Sequence, residues 1–192
     1  MRYFLDFDRT IFDTPAFKKS VTRRPTMLEL LKQAKDVVAS LFTPETERRL
    51  RMFRTALGAY LSHGRFMLTP DELKAFLYPD VAAFLSKHDC TIVTYGVEMF
   101  IRAKVTSALT DINIGDVVYT SRKKGRTIRR LTEDKEAGPF VFVDDARFQL
   151  ESVARWCPEV KVVEIRRDML PPDGRWPVIR SLDELTDTNR EA

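Results

Sequence analysis

From Tyr78-Pro79 onward, short β-prone apolar runs alternate with stretches of helical spacing, and this rhythm restricts the fold more than any other feature. Asp80 to Lys87 has helical spacing, and Thr91 to Thr94 is an apolar strand running into Tyr95-Gly96. Glu98 to Leu109 is helical, Asp116 to Thr120 a strand, and Thr127 to Thr132 part of a further helix. Phe140 to Val143 is strongly β-prone, Phe148 to Trp156 helical, Val160 to Ile165 a strand, and Leu182 to Leu185 a last helical turn. Strands separated by helices join by crossovers rather than hairpins, so the pattern predicts parallel strands covered by helices.

A further strand opens the chain, from Arg2 to Phe7. Between it and Tyr78 the pattern is helical. Apolar residues from Met27 to Leu41 fall on one helical face, and Thr43-Pro44-Glu45 reads as an N-cap followed by a first-turn proline. Glu47 to Leu61 continues at helical spacing to Gly64, and Thr69-Pro70-Asp71-Glu72 repeats the start signal. The expected organisation is therefore an α/β core, residues 1–14 and 77–192, with a Rossmann-like parallel sheet. An all-helical segment, residues 15–76, interrupts it after the first strand. A chain of 192 residues with 44% apolar content suits one domain carrying such an insertion.

Composition narrows the function classes. No run of about eighteen apolar residues is present to span a membrane. Asp6 and Asp8 come too early for a secretory signal. Two cysteines, Cys90 and Cys157, are too few for a disulfide scaffold, and a cytoplasmic location is expected. The net charge is +4, unevenly spread. Pro15 to Phe76 carries 12 basic and 6 acidic residues, or +6, and the remainder 20 and 22, or −2. An anionic ligand would be drawn toward the inserted segment.

Ligands of open parallel sheets bind beyond the carboxyl ends of the strands. The first strand ends in Asp6-Phe7-Asp8-Arg9-Thr10, where alternation would turn Asp6 and Asp8 to one side. Carboxylates that close repel unless a proton or cation is present, and a hard divalent ion resolves the conflict. The strand Phe140 to Val143 also runs into paired carboxylates, Asp144 and Asp145. One aspartate there could cap the next helix; two are harder to explain that way. The second strand ends at Thr94, followed by Tyr95 and Gly96, a hydroxyl and backbone N–H groups suited to a phosphate oxygen. Arg122-Lys123-Lys124-Gly125-Arg126 supplies positive charge before a helix, and one or two of these residues could neutralise a phosphate and the carboxylates.

Together these four elements resemble the haloacid dehalogenase superfamily of phosphohydrolases. Phe4 to Thr14 looks like its first motif, an apolar strand followed by Asp-x-Asp-x-Thr; Thr91 to Gly96 looks like the second; Lys124, whose Lys-Gly step directly precedes the helix, matches the third-motif lysine; Val141 to Asp145 looks like the fourth. The motifs stand in the family's order, with Arg9 where many members have glycine. The resemblance implies a Mg2+-dependent phosphatase with a helical cap. Asp6 would be the nucleophile and Asp8 the acid and base. Asp6, Asp145, the Asp8 backbone carbonyl and, through water, Asp144 would hold the metal; Thr94, Tyr95 and Lys124 would hold the phosphoryl group. A dehalogenase of this family would need neither Asp8 nor the Asp144-Asp145 pair. The expected partner is a small phosphorylated metabolite. The basic runs Arg48 to Arg54 and Arg122 to Arg130 raise nucleic-acid end processing as an alternative, and a phosphomutase would use the same aspartyl-phosphate.

Overall fold

The computed structural model describes residues 1–21, 70–96, 98–133, 138–168 and 174–187. Six strands form one sheet: β1 (Arg2–Leu5), β2 (Asp89–Tyr95), β3 (Val117–Thr120), β4 (Phe140–Asp144), β5 (Val160–Ile165) and β6 (Val178–Ile179). All neighbours pair in parallel, in the order β3-β2-β1-β4-β5-β6. The helices are α1 (Thr14–Val21), α2 (Pro70–Lys74), α3 (Val81–Lys87), α4 (Glu98–Ala108), α5 (Gly125–Glu133), α6 (Arg147–Trp156) and α7 (Glu184–Asp187).

Period-two alternation divides the core into two layers. Tyr3, Leu5, Cys90, Ile92, Val141, Val143 and Val163 face one side with Ile101, Val105 and Ala108 of α4. Phe4, Val93, Phe140, Phe142, Val160 and Val162 face the other, with Ile128 of α5 and Leu150 and Val153 of α6. The chain builds outward from β1 through β2 to β3, then returns to the other flank of β1 with β4. Such a reversal opens a crevice at the carboxyl ends of the two strands beside it. Asp6 follows one of those strands, and Asp144-Asp145 closes the other.

The ladder of β1 stops at Leu5, two residues before the expected end. Asp6 still donates its N–H to the Val143 carbonyl at 2.9 Å, but the chain then curls. Phe7 accepts from the N–H groups of Ile11 and Phe12, and Arg9 takes a left-handed φ of 63°. That conformation costs a side-chain-bearing residue about 1 kcal/mol or more and explains why glycine suits the position. Beyond the curl, Phe12 pairs with Leu77, Asp13 N–H bonds to Phe76 O at 2.7 Å, and Tyr78 N–H bonds to Ile11 O at 3.1 Å. The chain thus leaves for the inserted segment and returns from it side by side. The helices expected over 25–41 and 47–61 lie outside the described residues. The short helix expected near Thr69-Pro70 is α2, while α1 and the strand β6 had no clear sequence signal.

One buried ion pair ties this curl to the sheet. Asp80 accepts from Arg167 Nη1 at 2.9 Å, Ser181 Oγ at 2.9 Å and Leu182 N–H at 2.6 Å. Arg167 also donates to the carbonyls of Thr10 and Arg180 and lies over the Tyr78 ring. Burial pushes the Asp80 carboxyl up, but the Arg167, Leu182 and Ser181 hydrogen bonds and the Arg167 charge outweigh it and hold it below its ordinary value. Its stabilising contribution is therefore present above the unfolded carboxyl's pKa and lost as pH falls below it. Asp80→Ala leaves the Arg167 charge buried without its counterion and should cost about 3 kcal/mol in urea unfolding at neutral pH. A loss of under about 0.5 kcal/mol, the range of ordinary surface changes, would show that Arg167 finds other compensation.

Candidate active site

The alternation that buries Phe4 and Phe142 toward α5 and α6 sends Asp6 and Asp144, two residues on in each strand, to that same layer. Lys124 meets them there from the residue before α5. Its Nζ donates to Asp6 Oδ1 and, at 2.7 Å, to Asp144 Oδ2, and the residue is fully buried. The backbone is held as well: Lys124 N–H donates to Gln149 Oε1 at 2.9 Å. Gly125 permits the approach, because a Cβ there would lie 2.3 Å from the Ser152 carbonyl oxygen of α6. Lys123, by contrast, is exposed.

Asp145 completes the cluster. One carboxylate oxygen each from Asp6, Asp144 and Asp145 lie within 4.8 Å of one another, a spacing that could hold a metal ion. Burial pushes the Asp6 carboxyl up, and although Lys124 opposes this, Asp144 and Asp8 add to it, leaving Asp6 at about 7. Asp145 is likewise pushed up to about 7 by burial and then by Asp6, against the opposing charge of Arg9 at 3.8 Å. Asp144 is raised chiefly by burial, and Lys124 is held above its ordinary value by Asp144 and Asp6 despite burial. Three carboxylates share one buried ammonium, so once Asp6 and Asp145 ionise the cluster is short of positive charge, which a divalent cation would supply.

Asp8 goes elsewhere. Alternation along β1 would have kept Asp8 on the same side as Asp6, but β1 has ended and the curl turns Asp8 toward α4. There it accepts from Lys104 Nζ and from Thr14 Oγ1. Burial raises the Asp8 carboxyl, but the Lys104 charge and the hydrogen bonds from Lys104 and Thr14 hold it below its ordinary value. The Asp8 carboxylate therefore stands outside the three-aspartate group. Lys104 was not singled out in the sequence, although one signal was there: it interrupts the apolar stripe Ile101, Val105, Ala108 of α4.

On the other flank, Thr94 is buried and its Oγ1 has no hydrogen-bond partner among the described residues. Thr10 Oγ1 is in the same condition. The Tyr95 ring turns outward, 45% exposed, and meets Phe148 of α6 edge to face at 6.0 Å. A cavity of 440 Å³ opens beside Asp145, lined by Arg9, Asp13, Tyr78, Arg166 and Arg167 among others. Among the described residues no helix is long and apolar enough to cross a membrane.

No protein-family model matches this chain, and no curated protein matches it. Solved structures do. YfnB of Bacillus subtilis, whose structure contains magnesium, aligns over 97% of both chains at 15% identity, with a TM-score of 0.60. The fold is that of the haloacid dehalogenase-like hydrolases. A haloacid dehalogenase-like protein of Burkholderia xenovorans aligns over 99% of this chain and 96% of its own, at 16% identity and a TM-score of 0.62. L-2-haloacid dehalogenase of Xanthobacter autotrophicus, with chloropropionic acid covalently bound, covers 99% and 98% at 16% identity and 0.59.

The raised carboxyls make cation binding measurable without any substrate. Between the ordinary carboxyl value of 3.8 and about 7, folded Asp6 and Asp145 hold protons that the unfolded chain has released. Without a cation, stability therefore falls as pH rises through that window. A cation that binds the ionised cluster opposes this. Magnesium should raise the melting temperature little at pH 5 and by several degrees at pH 8, and Asp145→Asn should blunt the response. Equal shifts at both pH values would disprove ion binding by these carboxylates.

Proposed function

We propose that this chain is a magnesium-dependent hydrolase of phosphate monoesters that works through an aspartyl-phosphate on Asp6. One observation carries the reading: Asp6, Asp144 and Asp145 converge at the ends of β1 and β4 with Lys124 bridging two of them. Such a group supplies a nucleophile, a cation site and a fixed ammonium in one place.

In this reading Asp6, Asp144 and Asp145, with the Asp8 carbonyl, would hold the metal. The ion supplies charge stabilisation to the transferring group. The residues do the rest. An Asp6 oxygen bonds to phosphorus as the bond from phosphorus to the leaving oxygen breaks, and that oxygen takes its proton by way of Asp8, which Lys104 and Thr14 otherwise hold ionised. Water then attacks phosphorus, Asp8 takes the water's proton, and the bond to Asp6 breaks to release phosphate. Lys124 has three N–H donors and spends two on Asp6 and Asp144, which leaves one for a phosphoryl oxygen. The free hydroxyl of Thr94 and backbone N–H groups around Tyr95 are further donors.

The 440 Å³ cavity is lined by Asp145 but not by Asp6, Thr94 or Lys124; its size and its arginines, Arg9, Arg166 and Arg167, suit the body of a small anionic molecule reaching the cluster from that side. Nucleic acid fits less well. In the run Arg122 to Arg130, Lys124 is buried, Arg126 lies over Trp156 and Arg129 pairs with Glu133, so much of the positive charge is already engaged. The other basic run, Arg48 to Arg54, is outside the described residues. Dehalogenation uses the same kind of carboxylate nucleophile but no cation, and without one the negative charge of Asp144 and Asp145 would repel a haloacid anion. A phosphomutase would differ only in the acceptor of the second step. A cytoplasmic location accords with a small-metabolite substrate.

The test is phosphate release from a panel of metabolite and aryl phosphates, with 2-haloacids and paired sugar-phosphate acceptors included. Turnover of at least one phosphate ester should require magnesium and fall by about a thousandfold or more in Asp6→Asn, with the fold retained by circular dichroism. Halide release without added metal, and no action on any phosphate, would replace this reading with dehalogenation.

A further inference from the structure

Lys104 lies outside every motif recognised in the sequence, yet it is among the few buried charged side chains of the described core, 5% exposed. It comes from the second turn of α4 and crosses to the first-motif loop. Its Nζ donates to Asp8 Oδ1. The same ammonium lies 5.2 Å from the ring centres of both Phe7 and Phe12, which stack on each other at 5.3 Å. These two rings bracket Asp8 in sequence, so Lys104 grips the curl at three points. Burying an ammonium costs several kcal/mol unless it is paired in good geometry. Here every compensating contact falls on the loop that carries the proposed nucleophile and the proposed acid and base.

The geometry at Asp8 is selective. Lys104 and Thr14 both donate to Oδ1, and among the described residues no hydrogen bond reaches Oδ2. Two donors on one oxygen fix the rotation of the carboxyl group and leave the other oxygen for exchange with a reacting group. Proton transfer depends on such placement, because the exchanging atom must come within hydrogen-bond reach of its partner. A charge placed only to stabilise the core would not need to engage a half-exposed carboxylate at the site's edge, whose side chain is 35% accessible.

We infer that Lys104 is a positioning residue for this hydrolase, holding Asp8 by one carboxylate oxygen so that the other faces the leaving oxygen and then the attacking water. The inference rests on the phosphatase reading above, in which Asp8 moves the proton. Lys104 itself touches no reacting atom and acts through Asp8.

The experiment is a double-mutant cycle on magnesium-dependent hydrolysis of the best phosphate substrate in the panel. Lys104→Met keeps the length of the side chain and should lower kcat by about tenfold to a hundredfold while KM moves less than about threefold. Lys104→Arg, which restores the cation, should recover part of the loss. Asp8→Asn combined with Lys104→Met should be no slower than Asp8→Asn alone within about twofold, because the lysine has nothing left to position. Melting curves accompany each variant, and Lys104→Gln provides the same comparison if the methionine protein does not fold. Additive losses in the double variant, or unchanged kcat in a folded Lys104→Met, overturn the positioning role and leave the phosphatase reading standing. A folded wild-type protein inert toward every phosphate ester overturns both.

Discussion

The contact on which the rest of the structure depends is the ammonium of Lys124 between the carboxylates of Asp6 and Asp144. It joins the end of the first strand, the end of the fourth and the start of a helix, Asp6 and Lys124 being 118 positions apart in sequence. None of these three charges could be buried alone at tolerable cost. Each therefore requires the others, and the requirement fixes how α5 sits on the sheet. The glycine at position 125 is part of the same constraint, since the helix must come close to α6 for the lysine to reach.

The arrangement also sets the chemistry. Lys124 offsets one of the three ionised carboxylates, and Arg9, 3.8 Å from Asp145, offsets another. The cluster is left short of positive charge in a buried place, which is the condition under which a hard divalent ion binds and an anionic substrate follows it. A second lysine, Lys104, serves the other aspartate of the first motif from the opposite layer of the sandwich. The two aspartates are two residues apart, yet they draw their counterions from different helices on different faces. That separation sets Asp6 among the three converging carboxylates and leaves Asp8 fixed and partly exposed.

Much of this was legible in the chain. Alternating strands and helices from Tyr78 onward, with acidic residues at two strand ends, implied a parallel sheet with its chemistry at the carboxyl edge, and the sheet order gives that edge to Asp6, Thr94, Asp144 and Asp145. Lys124 was legible from the Lys-Gly step before an amphipathic helix. Two features were not. The end of β1 at Leu5 depends on hydrogen bonds among Phe7, Arg9, Ile11 and Phe12, so simple alternation carried Asp8 to the wrong side. Lys104 looked like one more surface lysine, because a single polar residue on an apolar helical stripe has no meaning until its partner is known.

Local order determined what the described residues could become: periodicity selects helix or strand, and side-chain chemistry selects which ends are reactive. Tertiary structure alone decided which charges meet. Lys104 and Asp8 are 96 residues apart, and Lys124 and Asp6 are 118 apart. Spacing along a chain cannot encode those distances, because Coulomb and hydrogen-bond energies depend on separation in space, and that separation exists only once the two layers have packed on the sheet.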